Sequence, residues 1–303
     1  MYFGTRETFE YHQCGHCGSL QIAEVPCDLA RFYPDYYYSH VPAVSPGKSS
    51  PVREWLRRQR TAYALSGRNV VGAALKLAGR GEYFDYPWEW FQDSGVTTSS
   101  RILDVGCGSG QLLFSMRLCG FDNLVGIDPF RRESQILDGV SLLKTTLFDL
   151  EDRFDLVMSH HSLEHMESPA AALAKMRDLV APGGALLIRL PVLGQPWEAY
   201  GVNWVELDAP RHLFIPSEAG FRALVERVGG LDVTSMRSDG TAFEIAGSEL
   251  YTRDIPLYPP ELAGRSNVNE HFSREEIADM TRKVGEMNAS GAGGRATFHL
   301  RRH

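Results

Sequence analysis

The run Ile102-Leu103-Asp104-Val105, continued by Gly106-Cys107-Gly108-Ser109-Gly110, admits few folds. Its apolar part predicts a buried β-strand. The three glycines at alternate positions predict a bend free of Cβ atoms, against which a ligand can lie directly. Residues Gln111 to Met116 then read as a helix whose first unpaired N–H groups face that bend, a ready seat for an anionic group. Strand, glycine turn and helix in this order open a doubly wound α/β sheet, with its ligand crevice beyond the carboxyl ends of the strands.

Two acids mark that crevice. Asp104 stands at the end of the first strand, where a carboxylate can accept from an ammonium or a hydroxyl. A second apolar strand, Leu124 to Ile127, ends in Asp128, 24 residues after Asp104. An acid about 20 residues along such a unit is the position that takes ribose hydroxyls. A third segment, Leu142 to Leu147, leads into Phe148-Asp149-Leu150, where Asp149 and Leu150 are placed to flank an adenine ring. The glycine spacing is not that of a nicotinamide dinucleotide site, because Gln111 occupies the sixth position of the fingerprint. A nicotinamide-linked oxidoreductase is the competing reading, and titration with NADH separates the two.

The ordered series Leu103–Gly110, Gly126-Ile127-Asp128-Pro129, Phe154–Ser159, Leu163-Glu164-His165-Met166 and Leu179–Gly184 resembles the class I S-adenosylmethionine-dependent methyltransferases. Within them it is similar to the ubiquinone-biosynthesis-type and sugar-type branch. The resemblance spans about residues 100–240. It implies a Rossmann-like seven-stranded doubly wound sheet with an antiparallel last strand, and S-adenosylmethionine as donor. It places Asp104 on the methionine ammonium, Gly106, Cys107, Gly108 and Gly110 beneath methionine and ribose, and Asp128 and Pro129 at the ribose. Asp149 and Leu150 fall at the adenine, and Ser159 and His160 border the donor.

Composition narrows the partners. The chain has 303 residues, 43% apolar and 23% charged, with net charge −7. No basic run of five or more occurs, so no nucleic-acid partner is expected. The sugar-type resemblance, with the N-terminal knuckle described below, implies a small-molecule acceptor, a sugar, nucleotide-sugar or natural-product-like metabolite methylated at oxygen. No apolar run reaches 18 residues, so no membrane span is expected, and Met1 to Glu7 lack a signal-peptide core. Five unevenly spaced cysteines fit a reducing cytoplasm better than a disulfide framework.

Three parts are expected: a small unit over 1–45, a helical lid over 51–95, and the methyltransferase domain over 96–303 with an insertion at about 241–290. The first part holds Cys14-Gly15-His16-Cys17, a knuckle of the zinc-gripping type. It lacks a second pair, so no metal is assigned; Cys14, Cys17 and Cys27 are the ligands in the opposite case. The aromatic series Phe32 to His40 clamps this unit to the main domain or, through Tyr37, reaches the acceptor pocket. Within the main domain strands are expected near 101–105, 124–127, 142–147, 154–159, 185–190, 231–236 and 295–300. Helices are expected near 111–118, 131–138, 168–180, 217–228 and 274–287, with a tight turn at Pro182-Gly183-Gly184.

Chemistry belongs after the strands. Ser159-His160-His161-Ser162-Leu163-Glu164-His165 follows the fourth strand, and Asp208-Ala209-Pro210-Arg211-His212 follows the fifth. Imidazole titrates near neutrality, so His165 or His212 is the candidate base for an oxygen acceptor. Arg211 binds an acidic acceptor group or pairs with Asp208. In-line displacement at a sulfonium depends more on alignment than on a base, so intact donor motifs also fit a catalytically idle donor-binding module.

Overall fold

The structure is a computed structural model describing residues 2–34, 50–77, 91, 94–262 and 265–303. Tyr37 and most of the aromatic segment 83–91 lie outside the described residues.

In chain order the strands are β1 (Tyr11–Gln13), β2 (Leu20–Ile22), β3 (Arg101–Val105), β4 (Asn123–Ile127), β5 (Gln135–Leu137), β6 (Val140–Leu143), β7 (Phe154–His160), β8 (Val180–Pro191), β9 (Phe214–Ile215), β10 (Leu231–Ser238) and β11 (Arg295–Arg302). The helices used below are α1 (Pro51–Ser66), α2 (Val70–Leu77), α3 (Gln111–Leu118), α4 (Pro169–Leu179), α5 (Gln195–Tyr200), α6 (Glu218–Val228), α7 (Ala242–Thr252), α8 (Val268–His271) and α9 (Arg274–Ala289).

The main sheet runs β10-β11-β8-β7-β3-β4-β6-β5. The pairs of β3 with β4 and β7, of β4 with β6 and of β7 with β8 are parallel, whereas β11 is antiparallel to both neighbours. This is the expected doubly wound α/β sheet with an antiparallel last strand. Both faces are covered, which is why the central strands read as nearly continuous apolar runs. One face packs Leu103, Val157 and Ile188 under Leu173 and Met176 of α4 and Phe221 of α6. The other packs Ile102, Leu156 and Leu187 under Leu113, Phe114 and Met116 of α3.

Two local expectations are corrected. The predicted helix at 131–138 is instead the edge hairpin β5–β6, which adds an eighth strand. Asp138 and Gly139 both take positive φ, 50° and 82°, the geometry that a two-residue hairpin demands. Pro182-Gly183-Gly184 is a break in register inside β8 rather than a free turn. Phe154 pairs with Val180 but Leu156 pairs with Ala185, so the intervening residues loop out, with Gly183 at φ 76°.

The leading unit is sewn to the main domain by β9, which pairs with β2 in a separate three-stranded sheet. Tyr2 stacks on Tyr258 and Arg6 pairs with Asp254, so the first residues also rest on the segment after α7. Helices α7 and α9 close a cluster of their own around Leu250, Met280 and Val284. Among the described residues no helix is long and apolar enough to cross a membrane.

Candidate active site

The donor end is built by backbone. Gly106, Gly108 and Gly110 have φ of 77°, 52° and 88°, a region open to glycine and strained for other residues. A Cβ on Gly106 would sit 2.1 Å from Ser162 Oγ, and one on Gly110 would sit 2.7 Å from Leu142 Cδ1. The bend thus presses against the turn after β7. Gly126 is bare for a similar reason: its Cβ would meet Cys107 Sγ at 2.7 Å. Cys107 fills that space as packing, and burial pushes its thiol up.

Asp128 clamps the bend. Its carboxylate accepts from the Gly108 N–H at 3.0 Å and from the Phe130 N–H at 2.8 Å, while Arg131 donates to the Gly108 carbonyl at 2.5 Å. Pro129 is exposed at the turn between them. Asp104 is buried, and burial next to Asp128 pushes its carboxyl up to about 7. Among the described residues nothing donates a hydrogen bond to it. A buried carboxyl without a donor, beside a glycine cradle, fits a cationic ammonium group. Asp149 is engaged elsewhere: it accepts from the Thr146 N–H at 3.2 Å and the Thr146 hydroxyl at 2.6 Å, which holds it below the usual carboxylate range. Leu150 packs against the main core.

The end expected to face the acceptor, here the acceptor end, is built by side chains from distant segments. The turn after β7, Leu163–His165, meets the loop Glu206–His212, which passes through a cis Ala209–Pro210 bond. His165 and His212 come together edge to face, with ring centroids 4.8 Å apart. Backbone carbonyls accept only, so they fix the tautomers. His165 Nδ1 donates to the Arg211 carbonyl at 2.9 Å and His212 Nδ1 to the Glu206 carbonyl at 2.7 Å. Burial lowers both rings to about 3, so each is neutral and a poor base. His160 is lowered to about 3 by burial and by Arg189, and the Ser159 hydroxyl is sealed beside it in β7 without a hydrogen-bond partner among the described residues.

Arg211 pairs with Asp208, Nη2 to Oδ1 at 2.5 Å, but in the interior rather than on the surface. Its guanidinium lies 4.0 Å from the Tyr2 ring centroid. Tyr11 Oη donates to the His212 carbonyl at 2.7 Å, and Tyr33 Oη lies 3.2 Å from His165 Nδ1. The leading unit therefore forms one wall of this end. Glu164, Glu206, Glu244, Arg189 and Arg295, which the sequence does not single out, complete it. Arg295 Nε lies 3.1 Å from Glu244 and 3.6 Å from Glu206. Burial raises Glu206 to about 7. The one available signal was the set of charged residues inside otherwise apolar segments, as in Leu163-Glu164-His165.

Cys14 and Cys17 adopt a knuckle, with the Gly18 N–H bonded to the Cys14 carbonyl at 2.8 Å. Backbone N–H groups, that of Cys17 foremost, hold the Cys14 thiol below its ordinary value. Cys27 does not join them in a three-ligand group among the described residues.

A family model described as a methyltransferase domain matches residues 58–235. The chain belongs to this family. As a methyltransferase it takes S-adenosylmethionine as its donor, and the buried Asp104 and the glycine bend fit that molecule. The tRNA U34 carboxymethyltransferase of Idiomarina loihiensis is 27% identical over 176 residues, covering 53% of this chain and 54% of the relative. That of Klebsiella pneumoniae is 32% identical over 162 residues, 48% of each chain. The chain thus spans about half the length of the curated relatives it matches. Among solved structures, the methyltransferase in the Haloferax volcanii Trm112 activator complex aligns at 18% identity over 80% of this chain and 96% of that one, with TM-score 0.47. Apo mycolic acid cyclopropane synthase CmaA1 aligns at 17% over 72% and 91%, with TM-score 0.41.

These relatives overturn two expectations. The small-molecule acceptor was implied by the sugar-type resemblance and the N-terminal knuckle, and the absence of a nucleic-acid partner was read from a net charge of −7 and the lack of a basic run, but the curated relatives are named for tRNA. Net charge sums the whole surface and hides local asymmetry: α1 carries Arg53, Arg57, Arg58 and Arg60 against one acid, Glu54.

Proposed function

We propose that this methyltransferase alkylates a base of a tRNA. The observation that carries the reading is the 27–32% identity to tRNA U34 carboxymethyltransferases over about half of the chain. When bound, S-adenosylmethionine supplies an electrophilic carbon on a sulfonium leaving group. The chain's own contribution is placement. Asp104 takes the ammonium, the glycine bend lets the ligand approach the backbone, and Asp128 has lone pairs left for ribose hydroxyls. Holding nucleophile and carbon in line is worth about 7–11 kcal/mol at best, so the weak basicity of His165 and His212 is no obstacle.

On this reading an unstacked tRNA base is presented to the donor bend, which is how single-stranded RNA is generally read. Exposed Arg53 and Trp55 on α1 offer a phosphate contact and a stacking face. All five cysteines are free, which supports the reducing cytoplasm as the compartment.

The test is incubation of the full chain with donor and unfractionated tRNA, then digestion and mass spectrometry of the nucleosides. A nucleoside heavier by a methyl group, formed only when S-adenosylmethionine is present, is expected. Donor binding with unchanged nucleosides, and with product appearing only in a metabolite extract, overturns the proposal. Donor binding without product in either points to an idle module.

A further inference from the structure

The geometry points to a divalent transition-metal site formed by Glu164, His165 and His212. A nitrogen of each ring and a carboxylate oxygen of Glu164 lie within 4.8 Å of one another, the residues being buried or nearly so. The Glu164 side chain is fully shielded from solvent. Neither of its oxygens meets a hydrogen-bond donor among the described residues, and His161 Nδ1, 3.3 Å from Oε1, falls short of hydrogen-bond geometry. A carboxylate sealed away without a donor needs a proton or a cation.

The two imidazoles are prepared to supply the remaining ligands. Each spends its Nδ1–H on a backbone carbonyl, that of Arg211 for His165 and that of Glu206 for His212. That arrangement fixes the ring, leaves Nε2 as the lone-pair nitrogen, and is the outer-shell support that metal-binding histidines use. Asp208 Oδ2 stays 3.7 Å from His212 Nε2, too far to be taking a proton from it. A tetrahedral ion with bonds near 2.1 Å sets its ligand atoms roughly 3.4 Å apart, so binding would draw the three together by about an ångström.

Two imidazoles and one carboxylate suit zinc and its neighbours over magnesium, and they leave a coordination position open. Glu164 and His165 follow the carboxyl end of β7, as does Ser162, which abuts the donor bend. The inference stands apart from the tRNA reading, because it rests on three side chains and its readout is metal binding.

The test uses the full chain, stripped of metal and titrated with Co²⁺ and Zn²⁺, in the wild type and in a Cys14→Ser/Cys17→Ser variant that silences the knuckle. One ion per chain is expected in both, with visible cobalt bands and no thiolate charge-transfer band in the double variant. Glu164→Gln and His212→Gln, checked for folding by circular dichroism, should each weaken binding at least tenfold. Metal that disappears with the two cysteines, or affinity unchanged in a folded Glu164→Gln chain, overturns the site. Should either single variant fail to fold, the cobalt spectrum of the double variant decides alone: bands without thiolate character support the site and their absence refutes it.

Discussion

The two ends of the crevice are made in opposite ways. The donor end comes from one short stretch, residues 104–131, and its working parts are glycine conformations and backbone N–H groups held by Asp128. The acceptor end gathers side chains from Tyr2, Tyr11, Tyr33, Glu164, His165, the loop 206–212, Glu244 and Arg295. A backbone site tolerates change around it as long as the bend survives. A site of buried charges from remote segments depends on each partner staying in place, because every ion taken from water must be compensated by another.

The largest effect should therefore come from the acceptor end. Arg295→Met leaves Glu206 and Glu244 facing each other in the interior without their shared cation. Removing one member of a buried ionic group costs about 3–5 kcal/mol. Urea unfolding should show a loss of that order at pH 8 and a smaller one at pH 5, where the stranded carboxyls take up protons. An equal loss at both pH values would mean that Arg295 serves by packing rather than by charge.

At the donor end Gly106→Ala is the counterpart. It forces an alanine to φ 77° and drives its Cβ to 2.1 Å from Ser162 Oγ. Strain of this kind costs about 1–3 kcal/mol, and here it moves the bend itself. Calorimetric affinity for S-adenosylhomocysteine should fall tenfold or more. Asp128→Ala should do the same with less loss of stability, since it frees the Gly108 and Phe130 N–H groups and removes the proposed ribose partner. Unchanged affinity in both variants would place the donor elsewhere.

The same contrast explains what the sequence disclosed. The strand, the glycine bend and Asp128 are neighbours along the chain, so their chemistry can be read without knowing the fold. Gly126 and Cys107 are already a long-range fact: the bare glycine is explained only by the thiol that fills its place. The edge hairpin at 135–143 was legible in principle, because Asp138-Gly139 is a hairpin dipeptide, yet the flanking residues carry weak strand character. Nothing local tells that Arg211, His212 and Glu164 converge, or that the leading unit lies against them through Tyr11 and Tyr33. The charge sum failed for a related reason: it averages over the whole chain and does not register a local excess such as the four arginines against one acid on α1.

A gentler probe of the donor end is pH. Burial raises the Asp104 carboxyl to about 7, far above its value in an unfolded chain. Between about pH 4 and 7 the folded protein holds this proton more tightly than the unfolded chain does, so its contribution to the stability of the ligand-free protein falls as pH climbs through that window. Donor binding has the opposite sign, because the ammonium requires the ionised carboxylate. S-adenosylhomocysteine affinity should rise about fivefold from pH 6 to 7 and about twofold more by pH 8 before it levels, with proton release visible as a buffer-dependent binding enthalpy. A flat profile would show that the ammonium is held by something other than Asp104.

The smallest effect tests whether the two ends act independently. Tyr33→Phe removes the hydroxyl 3.2 Å from His165 Nδ1 but spares the bond from that nitrogen to the Arg211 carbonyl. The histidine keeps its tautomer, and what is lost is at most the longer branch of an N–H shared with the Arg211 carbonyl, at or below the lower end of the about 0.5–1.5 kcal/mol of a full hydrogen bond, in thermal or urea unfolding. Donor affinity should not move, because no backbone of the glycine bend depends on Tyr33. If it does move, the contact of Ser162 with Gly106 is carrying strain from the histidine wall into the bend, and the acceptor end sets the shape of the donor site rather than merely facing it.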